Sequence, residues 1–242
     1  MPDQSPVSAA TSSVGQASAG TFSVMTVCTM NICRSPAMQF VLERDTIPMV
    51  ARHGITLDVS SAGIHAVAGA PSCDISLAMV GEADRAESAR RFAVDGPGRP
   101  DLILGAARSH VSAVVDADPA LRSRTFTMLQ ASRLAQWVVT DGPLEAGTRK
   151  LRGEVIEMDN ADPVALTPAL PAGAGQRVAW LVGRLDAARE VAPMPPQLPE
   201  PHHGDDIPDP HVLGYNLHRM SADLILESIA VFNEALDRVL SA

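Results

Sequence analysis

The stretch from Phe22 to Val59 constrains this chain most, because its hydrophobic period changes twice in quick succession. Phe22-Ser23-Val24-Met25-Thr26-Val27 is a short β-prone run that ends at Cys28. A tight, glycine-free polar turn follows. Pro36 suits the first helical position, where its missing amide costs nothing. From Ala37 to about Arg52 the pattern predicts a helix, with Met38, Val41 and Leu42 at helical spacing and Gly54 as its stop. Ile55-Thr56-Leu57-Asp58-Val59 then alternates like a second strand. Strand, helix and strand of these lengths make a βαβ unit, the seed of a parallel sheet covered on both faces. The expected fold is therefore α/β, a three-layer sandwich with a central parallel sheet of about four strands.

The rest of the chain extends that plan. Asp101-Leu102-Ile103-Leu104 reads as a short strand after the breakers Gly96, Pro97, Gly98 and Pro100. A helix is expected over Ser109–Ala117, stopping before Pro119. Thr125–Leu129 is a candidate fourth strand, and Ala131–Val139 a helix. From Gly142 to about Gln176 the texture turns to Gly, Pro, Ala and acidic residues and reads as loop. Arg177–Glu190 has a helical pattern, and Val191–Pro210 is open and proline-rich. Val212–Leu240 carries a broad apolar stripe through Leu224, Ile225, Ile229, Phe232 and Leu236. The expected organisation is a disordered lead-in over residues 1–20 and one domain over 21–242. That domain contains a Pro/Gly-rich insertion at about 142–206, which holds the helix at 177–190.

Composition narrows the function. A net charge of −9 argues against a nucleic-acid partner, yet one loop can still bind a phosphate in an acidic protein. No stretch approaches the apolar length of a membrane span, so no membrane partner is expected. The first 20 residues lack the basic and apolar parts of a secretory signal, which makes the cytoplasm the default compartment. Nothing in the chain calls for a cofactor, and oligomeric state is not readable from it.

The turn itself carries chemistry. Cys28, at a strand end just before a helix N-terminus, lies among amides that still need acceptors, and these favour a thiolate. Six residues on, Arg34 can fold back over the same concavity and grip two oxygens of an anion with its fork. The backbone of Thr29, Met30, Asn31, Ile32 and Cys33 can form a nest for the remaining oxygens. Ser35 is placed to donate to the Cys28 sulfur, and Asn31 to brace the turn. Such a set suits attack on phosphorus, with the phosphoryl group passing to cysteine. The plainer alternative is a small buried cysteine and a helix-start arginine facing solvent. A zinc site is not expected, because Cys28 and Cys33 are separated by four residues rather than two and only Cys73 could join them.

With these residues in view, the chain resembles the low-molecular-weight protein tyrosine phosphatase family. The resemblance rests on Val27-Cys28 through Pro36, Ser61-Ala62-Gly63, and the late pair Asp209-Pro210. Residues 101–104, His110 and Phe126-Thr127-Met128-Leu129 support it. It implies a phosphomonoester hydrolase acting through a cysteinyl-phosphate, with a phosphorylated protein or small phosphomonoester as substrate. It implies Cys28 as nucleophile, Arg34 as phosphate ligand and Asp209 as general acid. It further implies that residues 29–35 form the phosphate loop, and that Cys33 can form a protective disulfide with Cys28. Three Asp-Pro pairs compete for the acid. Asp118-Pro119 looks like a helix boundary and Asp162-Pro163 lies in the low-complexity stretch, which leaves Asp209-Pro210 the best fit. Asp205 and Asp206 are near it in sequence, and their like charge is expected to assist proton donation. His202, His203 and His211 cluster within ten residues, a spacing that could suit a metal, but read better as a surface loop.

The chain departs from the family at Met30, where glycine is usual, and after Asp209, where aromatics are usual. One alternative is therefore an inactive phosphate or phosphopeptide binder. Another is a thiol-dependent arsenate reductase, although that relay needs two cysteines beyond the loop and only Cys73 is present.

Overall fold

A computed structural model describes residues 20–94, 99–140, 148–151, 154–157, 169–194, 204–211 and 215–242. The lead-in at 1–19, the breakers Gly96, Pro97 and Gly98, the pair Asp162-Pro163, and His202 and His203 lie outside the described residues. So do residues 195–203 of the proline-rich stretch.

Four parallel strands form the main sheet: β1 (Thr21–Cys28), β2 (Thr56–Gly63), β3 (Leu102–Gly105) and β4 (Thr125–Thr127), in the order β2-β1-β3-β4. Helix α1 (Arg34–Ala51) makes the first crossover. Because β2 lies on one side of β1 and β3 on the other, the strand order reverses at the end of β1. Open α/β sheets form their crevice at that point, outside the carboxyl ends of the strands. The register lines up three of those ends there: Cys28 lies beside Gly63, and Val27 beside Gly105.

Side-chain alternation along the strands separates two unequal layers. Phe22, Val24, Leu102, Leu104 and Phe126 belong to the main core, packed with α1, α4 (Met128–Thr140), α5 (Ala174–Ala188) and α6 (Tyr215–Ser241). Val27 and Ile103 point the other way, into a small cluster with Val114 of α3 (Arg108–Ala117) and Leu121. Helices cover both faces, as expected, with most of the apolar burial on one of them. Among the described residues no helix is long and apolar enough to cross a membrane.

Several boundaries shift for physical reasons. Helix α1 starts at Arg34, two residues before Pro36, which still occupies a first-turn position whose amide has no partner within the helix. The fourth strand stops at Thr127, because the Thr127 hydroxyl accepts the Gln130 amide at 3.0 Å and starts α4 at Met128. Strand β2 continues past Val59 to Gly63. A short helix, α2 (Asp74–Met79), follows where no element was expected. The stretch read as loop holds an antiparallel pair, β5 (Thr148–Leu151) and β6 (Glu154–Glu157); strands of four residues carry little period-two signal. Helix α5, expected inside an insertion, contributes Val178, Leu181 and Leu185 to the main core.

Candidate active site

The turn after β1 is held from below by side chains. Asn31 is fully buried and is the one non-glycine residue with positive φ (56°) among those described. Asparagine tolerates this conformation better than most residues. Its Nδ2 donates to Ser35 Oγ at 2.9 Å and to Ser61 Oγ at 2.8 Å, and its Oδ1 accepts the Arg90 amide at 2.8 Å. The left-handed residue is thus Asn31 and not Met30, so a side chain at position 30 meets no backbone penalty. Gly63 sits directly beneath. A Cβ there would lie 2.6 Å from the Asn31 nitrogen and 2.7 Å from the Met30 carbonyl carbon. Only glycine lets β2 pass so close to the loop.

Cys28 is 3% exposed, and Ser35 Oγ donates to its sulfur at 3.0 Å. The same hydroxyl lies 3.2 Å from the Ala62 carbonyl. Because Asn31 donates into Ser35, the single hydroxyl proton is shared between the sulfur and that carbonyl. A charged sulfur would draw it, since ionised acceptors make the stronger hydrogen bonds. The amides of Met30, Asn31, Ile32 and Cys33 have no acceptor among the described residues. Helix α1 begins just beyond them with no side-chain cap and no acidic residue in its first turn. That arrangement is an anion nest at a positive helix end.

Arg34, 6% exposed, lies across the mouth. Its Nη1 donates to the Ile207 carbonyl at 3.0 Å, and its Nη2 to Thr29 Oγ1 at 3.3 Å and to Asp209 Oδ2 at 2.5 Å. Asp209 stands 175 positions from Arg34 in the chain. Its segment is tied down residue by residue. Asp205 forms a two-pronged pair with Arg133 of α4, and Asp206 accepts the Arg108 amide at the start of α3. The Ile207 amide bonds the Ala106 carbonyl, and Ser221 of α6 donates to the Pro208 carbonyl. Asp205 and Asp206 are therefore each engaged by an arginine.

His110 is 5% exposed and does two tasks. Its Nδ1 accepts the Ala107 amide at 3.0 Å and caps α3, so the ring proton is on Nε2, which donates to Thr29 Oγ1 at 3.0 Å. Burial, and then the nearby Arg34 charge, push the imidazole down to about 4, so it is neutral at pH 7. The contact with Thr29 was not legible in the sequence. His65 is exposed, though its amide bonds the Thr29 carbonyl; His211 is exposed and its amide donates to Asp209 Oδ1. Asp118 caps the 3-10 turn Pro119–Arg124 and pairs with Arg99, an ordinary structural use of Asp-Pro. All three cysteines are free thiols. Burial pushes the Cys33 thiol up to about 12, with Cys73 and Cys28 adding to the effect.

No protein-family model matches the chain, and no curated protein matches it either. Solved structures do. The arginine phosphatase YwlE of Geobacillus stearothermophilus superposes with a TM-score of 0.52 at 16% identity, over 90% of this chain and 94% of that one. A low-molecular-weight phosphotyrosine phosphatase of Vibrio cholerae O395 gives 0.51 at 14% identity, over 88% and 95%. A low-molecular-weight protein tyrosine phosphatase of Bacillus subtilis gives 0.51 at 14%, over 90% and 98%. At such identities the likeness is one of architecture: along nearly its whole length, the chain takes the α/β fold of the low-molecular-weight protein tyrosine phosphatases.

Proposed function

We propose that this chain is a phosphomonoester hydrolase, a protein-tyrosine phosphatase in its chemistry, working through a cysteinyl-phosphate. The observation that carries the proposal is the meeting of Arg34 and Asp209 over the loop that begins at Cys28. A guanidinium, a carboxyl group, a buried sulfur and a row of open amides then share one mouth. The Asp209 carboxylate, 38% exposed, occupies the guanidinium edge that a phosphate would take. An incoming phosphate, with more charge and better-placed oxygens, displaces it and frees the acid to face the leaving group.

In the first step the Cys28 sulfur forms a bond to phosphorus as the phosphorus–oxygen bond to the leaving group breaks. Asp209 gives its proton to that oxygen. Arg34 and the amides of residues 30–33 hold the equatorial oxygens where charge collects. As the sulfur becomes uncharged, the Ser35 proton can return to Ala62. In the second step Asp209 takes a proton from water as it attacks phosphorus, the sulfur–phosphorus bond breaks, and phosphate leaves. No cofactor enters either step. The same reading places the protein in the cytoplasm, where the nucleophile stays reduced. It makes residues 21–242 one phosphatase domain acting on phosphorylated proteins or small phosphomonoesters.

The test is turnover of an aryl phosphate by wild type and Cys28→Ser. Activity abolished in the variant is the expected result. Equal activity in both sinks the cysteine mechanism, and no activity in either, with phosphate still bound, identifies a binding protein. Phosphotyrosine and phosphoarginine peptides assayed side by side would set the substrate class, since YwlE is an arginine phosphatase.

A further inference from the structure

Three potential metal ligands from distant parts of the chain meet beside the loop. Cys33 is the last loop residue before α1, Cys73 directly precedes α2, and His218 lies near the start of α6. Their ligand atoms all lie within 4.8 Å of one another. Cys73 Sγ and His218 Nε2 are 3.6 Å apart. Tetrahedral zinc, with bonds of about 2.3 Å to sulfur and about 2.0–2.1 Å to nitrogen, needs a sulfur–nitrogen edge of about 3.6 Å. The pair is already at that spacing. Backbone contact also ties Cys73 to the segment that carries Cys33, because the Cys73 amide donates to the Ile32 carbonyl at 2.8 Å.

We propose that Cys33, Cys73 and His218 bind a soft divalent cation, zinc by preference, beside the loop. Two sulfurs and one imidazole are a borderline-soft set that suits zinc and disfavours magnesium or calcium. Cys33 and His218 are buried, while Cys73 is half-buried and gives the ion its way in. The buried Ser76 hydroxyl in α2 has no hydrogen-bond partner and is free to act as an outer partner. Three protein ligands leave a fourth position for water. On binding, the Cys33 and Cys73 thiols each release a proton to solvent and each sulfur donates an electron pair to the cation. The sequence argument against zinc looked for ligands close along the chain; the fold supplies a histidine from 145 positions beyond Cys73. The bound ion would join the loop to α2 and α6 and withdraw Cys33 from any pairing with Cys28.

The test uses the full chain, reduced with a phosphine and free of added thiol, titrated with cobalt(II) and then zinc(II). One equivalent of cobalt is expected to give thiolate-to-metal charge-transfer absorption that zinc abolishes. Cys28→Ser should retain the signal, and Cys73→Ser and His218→Ala should each lose it while keeping their circular dichroism. Wild type offers a readout that needs no variant: zinc should shield Cys73 from alkylation, mapped by mass spectrometry, and leave Cys28 reactive. Absence of the absorption in wild type, its loss in Cys28→Ser, its survival in both other variants, or equal Cys73 labelling with and without zinc would each overturn the proposal.

Discussion

Replacing Gly63 with alanine tests how closely β2 supports the loop. The new methyl would meet the Asn31 nitrogen at 2.6 Å, the Met30 carbonyl carbon at 2.7 Å and the Thr29 oxygen at 2.9 Å. All three are backbone atoms, so no side chain can rotate away. Ordinary contact begins near 3.4 Å, which means the strand and the loop must separate by about 0.8 Å at the tightest point. Gly63 cannot yield easily, because its amide and carbonyl are bonded to Arg90 and Phe92. Overpacking of this kind costs about 1–3 kcal/mol. Displacement of a catalytic loop by roughly an ångström costs up to about 100-fold in turnover. Urea unfolding should show the first effect, and kcat/KM on an aryl phosphate the second. Gly183→Ala, in α5 with nothing within 4 Å of the added atom, is the matched control and should stabilise the fold by about 0.5–1 kcal/mol. Gly63→Ala with wild-type stability and wild-type kcat/KM would refute the reasoning.

Other expectations follow from the same contacts. Asn31→Ala places alanine at φ 56° and leaves Ser61 and the Arg90 amide without their partner, a loss of about 2–4 kcal/mol measurable by denaturant titration. Asp209→Asn should slow a poor leaving group more than a good one; if Asp162→Asn does so instead, the acid is misassigned. Arg34→Lys should lower kcat/KM by well over tenfold, because a point charge cannot hold two phosphate oxygens as the fork does. His110 gives a pH signature. The unfolded chain takes up its proton near 6.5 and the folded chain only near 4. The stability it contributes is complete above about pH 6.5 and is lost as pH falls through 4, about 3 kcal/mol in all. His110→Gln should flatten the urea-midpoint curve across that window, and an unchanged curve would show that His110 does not set it.

Much of this architecture is local physics. A β-prone run, a turn, a proline-compatible helix start and a second strand predict the βαβ unit, because periodicity and capping act over a few residues. The candidate nucleophile and its arginine share that turn, so both were legible at once. Asp209 was legible only through its Asp-Pro context and a family resemblance. Its path over Arg34 depends on Ala106 and Arg108 at the start of α3, on Arg133 of α4 and on Ser221 of α6, three separate places in the chain. Helix α2 was missed because six residues hold too few turns for a hydrophobic period to show. The Cys33, Cys73 and His218 cluster left no spacing signature, since only the packing of α2 and α6 against the loop brings its atoms together. The sequence alone determined the sheet, the turn and the chemistry that the turn can offer. Tertiary packing decided which distant groups stand over that turn and beside it, because contacts between residues more than a hundred positions apart are set by how layers pack and not by any pattern along the chain.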